Sequence, residues 1–483
     1  MDLLTWTGQF GSFLTPLILV AVVMFVVGFL TNFVLTLAGV RPGELELNAD
    51  GTMAITHTPA DYALATMKYA VILFLLCCLG FVIGGLVLPT PEQKGIIGAA
   101  GARFLPVWVA LIVTFAVSIT FKRKLGLYGK LFDSPIGMVG FGLVMFWVFT
   151  AIFSTWVAPF DALDQISSMR NELPGTPTPE GEAYTHYLFG GDRLGRDVFS
   201  RMVLGSTYVL QIAPLATLFA FMVGITLGLP AGYVGGKLDT ILTFVANLVL
   251  AFPVILLFYL LVTPEIVQAG VPQYMSMVLF LFPIIFLVVL FNSRYHTQPM
   301  TRNILVAIAA IIGFWLYFSL ISDRADTESA VRFWPESLDL FNIPGNLLIV
   351  FVSVVFVNSP TVFRIVRGIT LDVKTRDYVA AAQTRGEGPW YIMLWEILPN
   401  ARGPLIVDFC LRIGYTTILL GTLGFFGLGL SPESPDWGST INEGRRLLTV
   451  YPHPALPPAL ALMSLVLGLN LLADGLREES LKD

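Results

Sequence analysis

The chain has 483 residues, of which 55% are hydrophobic and only 13% are charged. Soluble proteins carry about 25% charged residues, so this composition argues against a soluble protein. The net charge of −5 gives a nucleic-acid partner no electrostatic support. Three cysteines (Cys77, Cys78 and Cys410) lie in apolar runs and the four histidines are scattered, which argues against a disulfide framework and a metal site.

Eleven segments are apolar and long enough to cross a bilayer, because a membrane helix needs about 20 apolar residues. The predicted spans are 14–38, 66–88, 104–121, 136–158, 207–229, 239–262, 274–291, 303–321, 346–364, 403–427 and 455–474. Two of them contain a proline, Pro106 and Pro360, which membrane helices tolerate when neighbouring groups satisfy the freed carbonyl. The predicted fold class is therefore an all-α polytopic membrane protein with about 11 spans.

The basic residues predict the orientation of these spans, since cytoplasmic loops are enriched in Lys and Arg. Four basic residues lie in FKRKLGLYGK at 121–130, and six more lie in 364–402. Both segments are expected inside, together with Arg294 and Arg302, which places the N-terminus outside. The loops expected outside are 159–204 and 322–345, the second including Asp323 to Asp339.

Motifs for enzymatic chemistry are absent from the sequence. It contains neither the G-x-x-x-x-G-K-[ST] phosphate loop nor a G-x-S-x-G nucleophile elbow. The chain is therefore predicted not to be an enzyme, not to hydrolyse ATP, and to bind no cofactor or metal itself.

One predicted cytoplasmic segment is unusually well suited to form helices. Residues 377–400 read DYVAAAQTRGEGPWYIMLWEILPN. The alanine-rich part, 377–385, predicts a helix that ends at Gly386, where glycine permits a sharp turn. Pro389 is expected to open a second helix and Pro399 to end it. The alternative is a surface loop that only connects two spans.

This run resembles, without a gap, the EAA loop of ABC importer permeases. The matching positions are Tyr378, Ala381, Ala382, Gly386, Ile397, Leu398, Pro399 and Asn400, while Ala380 stands where the motif has its glutamate. In that family the loop forms the coupling helix, which docks into a cleft on an ATP-binding subunit. The resemblance implies this role for Asp377, Tyr378, Ala380, Ala381, Ala382, Gly386, Leu398, Pro399 and Asn400.

Four further stretches are similar to motifs of the C-type permease of oligopeptide, dipeptide and nickel importers. They are FGGDRLGRDVFSR at 189–201, AGYVGGKLD at 231–239, FFGLGLSPESPDWGSTINEGR at 425–445 and NLLADGLRE at 470–478. The resemblance covers about 134–262 and 346–483 and implies the type I ABC importer permease fold, with a core of six spans.

The regions outside the resemblance define the predicted domain organisation. An extra N-terminal membrane region of three spans precedes the first family span and its outer loop, and a two-span insertion interrupts the permease core. The predicted ranges are 1–125, 126–204 and 205–483, with the insertion at 264–345 and the coupling loop at 365–402. The five added spans could wrap the core, bind lipid or hold an accessory protein.

The outer motifs supply a second set of candidate residues: Gly190, Asp192, Gly195, Arg196, Asp197, Trp437 and Gly438. Their charged members could brace an outer gate or receive a binding protein. The alternative is a local salt-bridged turn, in which an exposed ion pair contributes about 0–1 kcal/mol. For Trp437 the alternative is an anchor at the membrane interface.

Asp408 and Arg412 form the third candidate site, because they lie at i and i+4 within the tenth predicted span. Charges at such depth face a bundle interior or a water-filled cavity. They are expected either to line the translocation path or to form a neutralised packing pair.

The resemblance implies a permease subunit of an ATP-driven importer for peptides in the bacterial inner membrane. It also implies a second homologous permease, two ATP-binding subunits that hold ATP and Mg, a periplasmic or lipid-anchored substrate-binding protein, and surrounding membrane lipids. The alternatives are a secondary transporter or a membrane scaffold without ATPase partners. Coupling-ion carboxylates within the spans would be typical of a secondary transporter.

Overall fold

The computed structural model describes residues 3–43, 45–47, 53–55, 58–322, 338, 345–428 and 433–480, and these are mostly helical. The N-terminal helices are α1 (Gly11–Leu37), α2 (Pro59–Val87), α3 (Pro91–Arg103), α4 (Leu105–Phe121), α5 (Gly126–Lys130), α6 (Pro135–Ile152) and α7 (Ser154–Val157). The central helices are α8 (Val198–Val234), α9 (Gly236–Leu250), α10 (Val254–Val262), α11 (Pro264–Gln268), α12 (Val271–Leu279), α13 (Leu281–Arg294) and α14 (Pro299–Ser322). The last helices are α15 (Gly345–Val373), α16 (Asp377–Thr384), α17 (Pro389–Tyr391), α18 (Leu398–Asn400), α19 (Arg402–Phe426), α20 (Trp437–Arg445) and α21 (Leu456–Ser480).

Short elements complete the described part of the chain. Three 3₁₀ turns occupy Lys122–Lys124, Leu131–Asp133 and Ser167–Met169. Two antiparallel strand pairs join β1 (Leu45–Leu47) to β2 (Met53–Ile55) and β3 (Thr176–Pro177) to β4 (His186–Tyr187).

Among the described residues, ten helices are long and apolar enough to cross a membrane, with α12 and α13 counted together as one helix. The number is eleven if α9 and α10 together form one span. The prediction of an all-α polytopic protein with about 11 spans is confirmed. α9 and α10 meet at a bend of 80°. Pro253 precedes α10, and a proline both disfavours helix in the residue before it and lacks an amide donor. The predicted span 239–262 is therefore bent.

The first of two compact units comprises Met1–Pro106, Trp156–Phe160 and Asp164–Phe199. Within it α1 packs along α2, and α3 folds back on α2. The N-terminal segment lies beside the loop after α7, because Leu4 N donates to Gly175 O at 3.0 Å. Both therefore lie on one side of the membrane, in agreement with the predicted outside position of the N-terminus.

The second unit comprises Val107–Thr155, Asp161–Leu163 and Ser200–Asp483. α21 packs against both α6 and α19. The approach of α6 to α21 is close at Gly140 and Gly468: a methyl group on Gly140 would overlap the backbone of α21, and one on Gly468 would overlap Leu143 Cβ of α6. Small residues at such crossings let membrane helices pack without cavities.

The end of α13 contacts the predicted coupling loop within the second unit. Trp395 Nε1 donates to Ser293 Oγ at 3.2 Å, so Arg294 lies next to the segment predicted to be the cytoplasmic coupling loop. This agrees with the predicted inside position of Arg294. The predicted outside segment Asp323 to Asp339 lies, except for residue 338, outside the described residues.

Cysteine labelling checks this orientation. In a chain without native cysteines, Gln298→Cys is expected to react with a membrane-impermeant reagent from the cytoplasmic side only, because the exposed Gln298 joins α13 to α14. Glu180→Cys, exposed in the loop after α7, is the control that should react from outside only. Reaction of position 298 exclusively from outside would contradict the eleven-span topology.

Candidate functional site

The predicted coupling helix is present as α16, one residue shorter than expected. Asp377 occupies its first turn, where a carboxylate complements the helix dipole. Gly386 ends it with φ of +79°, a left-handed conformation that favours glycine. Gly386 N donates to Gln383 O and Glu387 N to Ala382 O, which satisfies the last carbonyls of the helix. The predicted turn at Gly386 is confirmed.

α16 has one buried and one exposed face. Val379 and Ala382 are both 0% exposed and pack in a cluster with Ile392, Met393 and Ile397. The exposed face contains Asp377, Tyr378, Ala380, Ala381, Gln383 and Thr384. The methyl group of Ala382 packs against its own protein, so Ala382 does not lie on the exposed face of α16. The docking of this loop on an ATP-binding subunit stays a prediction.

The segment after the turn differs from the prediction at its end. Pro389 opens α17 as expected, and the chain then forms a π-helical stretch over Ile392–Ile397. Pro399 does not stop the helix; it occupies the first turn of α18, where an amide donor is not required. The chain continues through Ala401 into α19, so the coupling loop leads directly into a membrane helix.

Polar contacts tie the two arms of the loop together. Arg385 donates to Glu396 Oε1 at 2.7 Å across the turn. Within the second arm, Asn400 Nδ2 donates to Glu396 O at 2.7 Å. An open groove of about 570 Å³ lies beside the start of α16 and is lined by Arg376, Tyr378 and Asn400, among others. The exposed residues of the predicted site therefore lie on a surface that these contacts hold to the rest of the protein.

The outer motif at 189–201 forms a buried turn rather than an exposed one. Asp192 is 3% exposed and Arg196 is 1% exposed, and Arg196 Nε donates to Asp192 Oδ2 at 2.6 Å. Asp192 Oδ1 accepts from the backbone amides of Leu194 and Arg196. The local ion-paired turn is thus present, with Asp197 also buried, but the expected exposure of the pair is wrong.

The glycines of this motif take the backbone conformation that the turn requires. Gly190 and Gly195 have φ of +83° and +80°. Tyr187 Oη donates to Gly195 O at 2.9 Å. Because the paired side chains are enclosed by this turn, they fit a bracing role better than direct contact with a binding protein.

Trp437 is an internal packing residue. It is 0% exposed, its Nε1 donates to Met202 O at 2.8 Å, and its ring meets Trp147 edge to face at 4.9 Å. Gly438 is so close to Gly421 in α19 that a methyl group would overlap the Gly421 carbonyl. An interfacial position for Trp437 is therefore excluded in this structure.

Arg201 is a buried residue of the 189–201 motif that is not among the candidate residues predicted from the sequence. Its guanidinium donates to Ser434 O at 3.0 Å and lies 3.7 Å from Glu443 Oε2. It therefore joins the end of the 189–201 motif to the 425–445 motif. The sequence contains a signal for this contact: Arg201 lies in the 189–201 motif, and its partners Ser434 and Glu443 lie in the 425–445 motif.

Asp436 is a second buried residue that is not among the predicted candidates. Its Oδ1 caps α20 by accepting from Ser439 N at 3.0 Å. Burial raises the pKa of its carboxyl group above the ordinary value, while the hydrogen bonds to Ser439 and the charge of Arg201 oppose this shift. Its carboxylate therefore helps to fix the outer helix α20 between the spans.

Asp408 and Arg412 form the predicted pair in α19. Arg412 Nε donates to Asp408 Oδ2 at 2.6 Å, and neither side chain is more than 17% exposed. This geometry matches a neutralised packing pair. Whether the two residues line a path stays a prediction.

Substitutions separate the two interpretations of this pair. Asp408→Asn or Arg412→Met alone should cost about 3–5 kcal/mol and lower the amount of assembled protein, because each leaves one charge buried. The double variant should be milder. Assembly is measured by gel filtration of the purified complex. A double variant that assembles normally yet transports nothing would contradict a purely packing role.

These helices and loops define a polytopic membrane protein with an exposed helical loop between α15 and α19. The family model of the binding-protein-dependent transport system inner membrane component matches residues 224–478. The chain belongs to this family. It is a multi-pass inner-membrane permease subunit of an ABC importer, and its family's transport depends on a substrate-binding protein and ABC partner subunits.

Curated relatives agree with this assignment. Glutathione transport system permease protein GsiD of Pectobacterium atrosepticum is 30% identical over 335 residues, which cover 69% of this chain and 83% of that protein. GsiD of Escherichia coli is 28% identical over 339 residues, covering 69% and 82%. GsiD of Shigella boydii has the same identity and coverage. The match supports the predicted C-type peptide and nickel importer family.

Proposed function

We propose that this chain imports peptides as one half of a transmembrane pathway, together with a second, related permease. Two ATP-binding subunits dock on the inner side, one of them on the exposed face of α16. They bind ATP and Mg, whereas this chain binds neither. A substrate-binding protein delivers the solute from outside. The chain supplies a path and a lever for alternating access.

The observation that carries the proposal is the construction of the coupling loop. α16 presents a face of small and polar side chains, and its other face packs into a hydrophobic cluster. That cluster includes Val362 and Val366 of α15 and Leu405 of α19, which are parts of two spans. A push on α16 would therefore be transmitted to these spans, because closely packed interiors deform little.

A peptide substrate is supported by the named relatives, whose substrate is glutathione, a small peptide. A secondary transporter is less well supported, because the one carboxylate considered for ion coupling, Asp408, is already paired with Arg412. Such pairing neutralises the charge that a coupling cation would need.

Cross-linking tests the docking proposal. The complex is purified with its ATP-binding subunits, and Ala381→Cys is paired with a cysteine in the cleft of an ATP-binding subunit. We expect a cross-link because Ala381 lies on the exposed face of α16. Ala382→Cys is the matched control and should cross-link much less, since position 382 is 0% exposed.

Two outcomes would contradict the proposal. One is the absence of ATP-binding subunits from the purified complex. The other is the absence of a cross-link from every exposed position of α16 in a complex that does contain these subunits.

A further inference from the structure

The two-span insertion at 264–345 contacts the coupling loop through the inner end of α13. Trp395 of the π-helical stretch donates its Nε1 proton to Ser293 Oγ at 3.2 Å. The Arg294 guanidinium lies over the Trp395 ring, 4.6 Å from its centroid. A cation over an indole face is attracted by the ring quadrupole. One tryptophan thus engages two consecutive residues of the insertion.

A second contact reaches the turn that ends α16. His296 Nε2 lies 3.9 Å from Glu387 Oε2, and the His296 ring meets Tyr391 edge to face at 5.6 Å. Glu387 directly follows the turn glycine Gly386, and Arg385 lies 4.0 Å from Glu387. The insertion therefore contacts the arm of the loop that follows the turn, at Glu387, Tyr391 and Trp395.

Hydrophobic packing supports these polar contacts. Phe286, Val289 and Leu290 of α13 pack against the cluster that buries Val379 and Ala382 of α16. The same cluster takes in residues of α15 and α19. α13 of the insertion therefore packs against the same hydrophobic cluster that supports the coupling helix.

The π-helical geometry adds an independent observation. π-helical turns are rare and are found frequently at functional sites. Here the stretch Ile392–Ile397 contains Trp395, the residue that meets the insertion.

We propose that the α13–α14 hairpin belongs to the coupling apparatus, and that Arg294 and Trp395 are positioning residues that hold the coupling helix in register with the spans. This rests on the proposed docking of an ATP-binding subunit on α16. A displacement of α16 then moves the hairpin together with α15 and α19. The insertion thus takes part in transmitting the motion of α16 to the spans, and it does not merely surround the core.

The test uses the complete importer in proteoliposomes with its binding protein, and measures basal ATPase activity, its stimulation by loaded binding protein, and solute uptake. Arg294→Gln and Trp395→Leu should each reduce the stimulation about fivefold, the factor that a contact of this strength carries, while basal activity and assembly are kept. The double variant should be no worse than Trp395→Leu alone, because that change already removes the contact with Arg294 together with the hydrogen bond to Ser293.

Two matched variants sharpen the result. Arg294→Lys keeps a cation over the ring and should restore most of the stimulation. Arg302→Gln removes a positive charge from the neighbouring first turn of α14, where Arg302 bonds Asn303, and should leave stimulation unchanged. Unchanged stimulation in Arg294→Gln and Trp395→Leu would overturn the inference. So would a loss that disappears when activity is expressed per assembled complex.

A distance measurement tests the same idea without altering the contact. Spin labels at Gln298→Cys and Gly388→Cys, both exposed positions, should keep one distance distribution between the nucleotide-free and ATP-bound states. A shift between these states would show that the hairpin does not travel with the coupling loop. Lack of ATP-binding subunits in the wild-type complex would overturn the proposed function as well, whereas normal wild-type stimulation with unaffected variants overturns this inference alone.

Discussion

Gly386→Val should abolish solute uptake while leaving insertion into the membrane intact. Gly386 has φ of +79°, and a β-branched residue in this left-handed region is strained by about 1–3 kcal/mol. The valine would therefore change the backbone conformation of the turn and displace α16 from the hydrophobic cluster against which it packs. Because Gly386 lies outside the apolar spans that flank the loop, their insertion should be unaffected. ATPase activity should lose its stimulation by loaded binding protein.

Gly388→Val is the matched control for this prediction. Gly388 is also exposed, and a methyl group would meet no atom within 4 Å at either glycine. It differs in having φ of −70°, which any residue adopts. Uptake and stimulated ATPase activity should therefore be close to wild type in Gly388→Val. Equal loss in both variants would show that bulk at the docking surface, rather than the turn conformation, is responsible.

Asp192→Ala should have the second-largest effect, this time on folding. Arg196 is 1% exposed, and removal of its carboxylate partner leaves a buried guanidinium without that contact. Breaking a buried pair costs about 3–5 kcal/mol. The backbone amides of Leu194 and Arg196 lose their acceptor as well. The loop after α7 should become sensitive to protease, and the purified protein should melt at a lower temperature.

Arg193→Ala provides the comparison, because Arg193 is the exposed neighbour of Asp192 in the same turn. It should change protease sensitivity and melting temperature little. The double variant Asp192→Leu/Arg196→Leu should be less damaging than Asp192→Ala, since no unpaired charge remains buried. If Asp192→Ala retains wild-type stability, the pair does not brace the loop.

The amino-acid sequence by itself determined the class, the spans and the coupling helix. Long apolar segments have one stable solution in a bilayer, because every backbone amide and carbonyl must be paired within the segment. The end of α16 at Gly386 was equally local, since a glycine after a run of alanines marks a helix terminus. The family of the loop was also readable from adjacent residues.

Only the tertiary structure decided the environment of individual side chains. Asp192 and Arg196 looked exposed because their neighbours in sequence are polar and glycine-rich, yet the surrounding loop encloses them. Ala382 and Ala381 are chemically identical, and the packing of α16 alone determines which one faces outward. The contacts of Arg201 with Ser434 and of Arg294 with Trp395 join residues far apart in the chain. Such pairings depend on how whole helices pack, and no local pattern of residues encodes them.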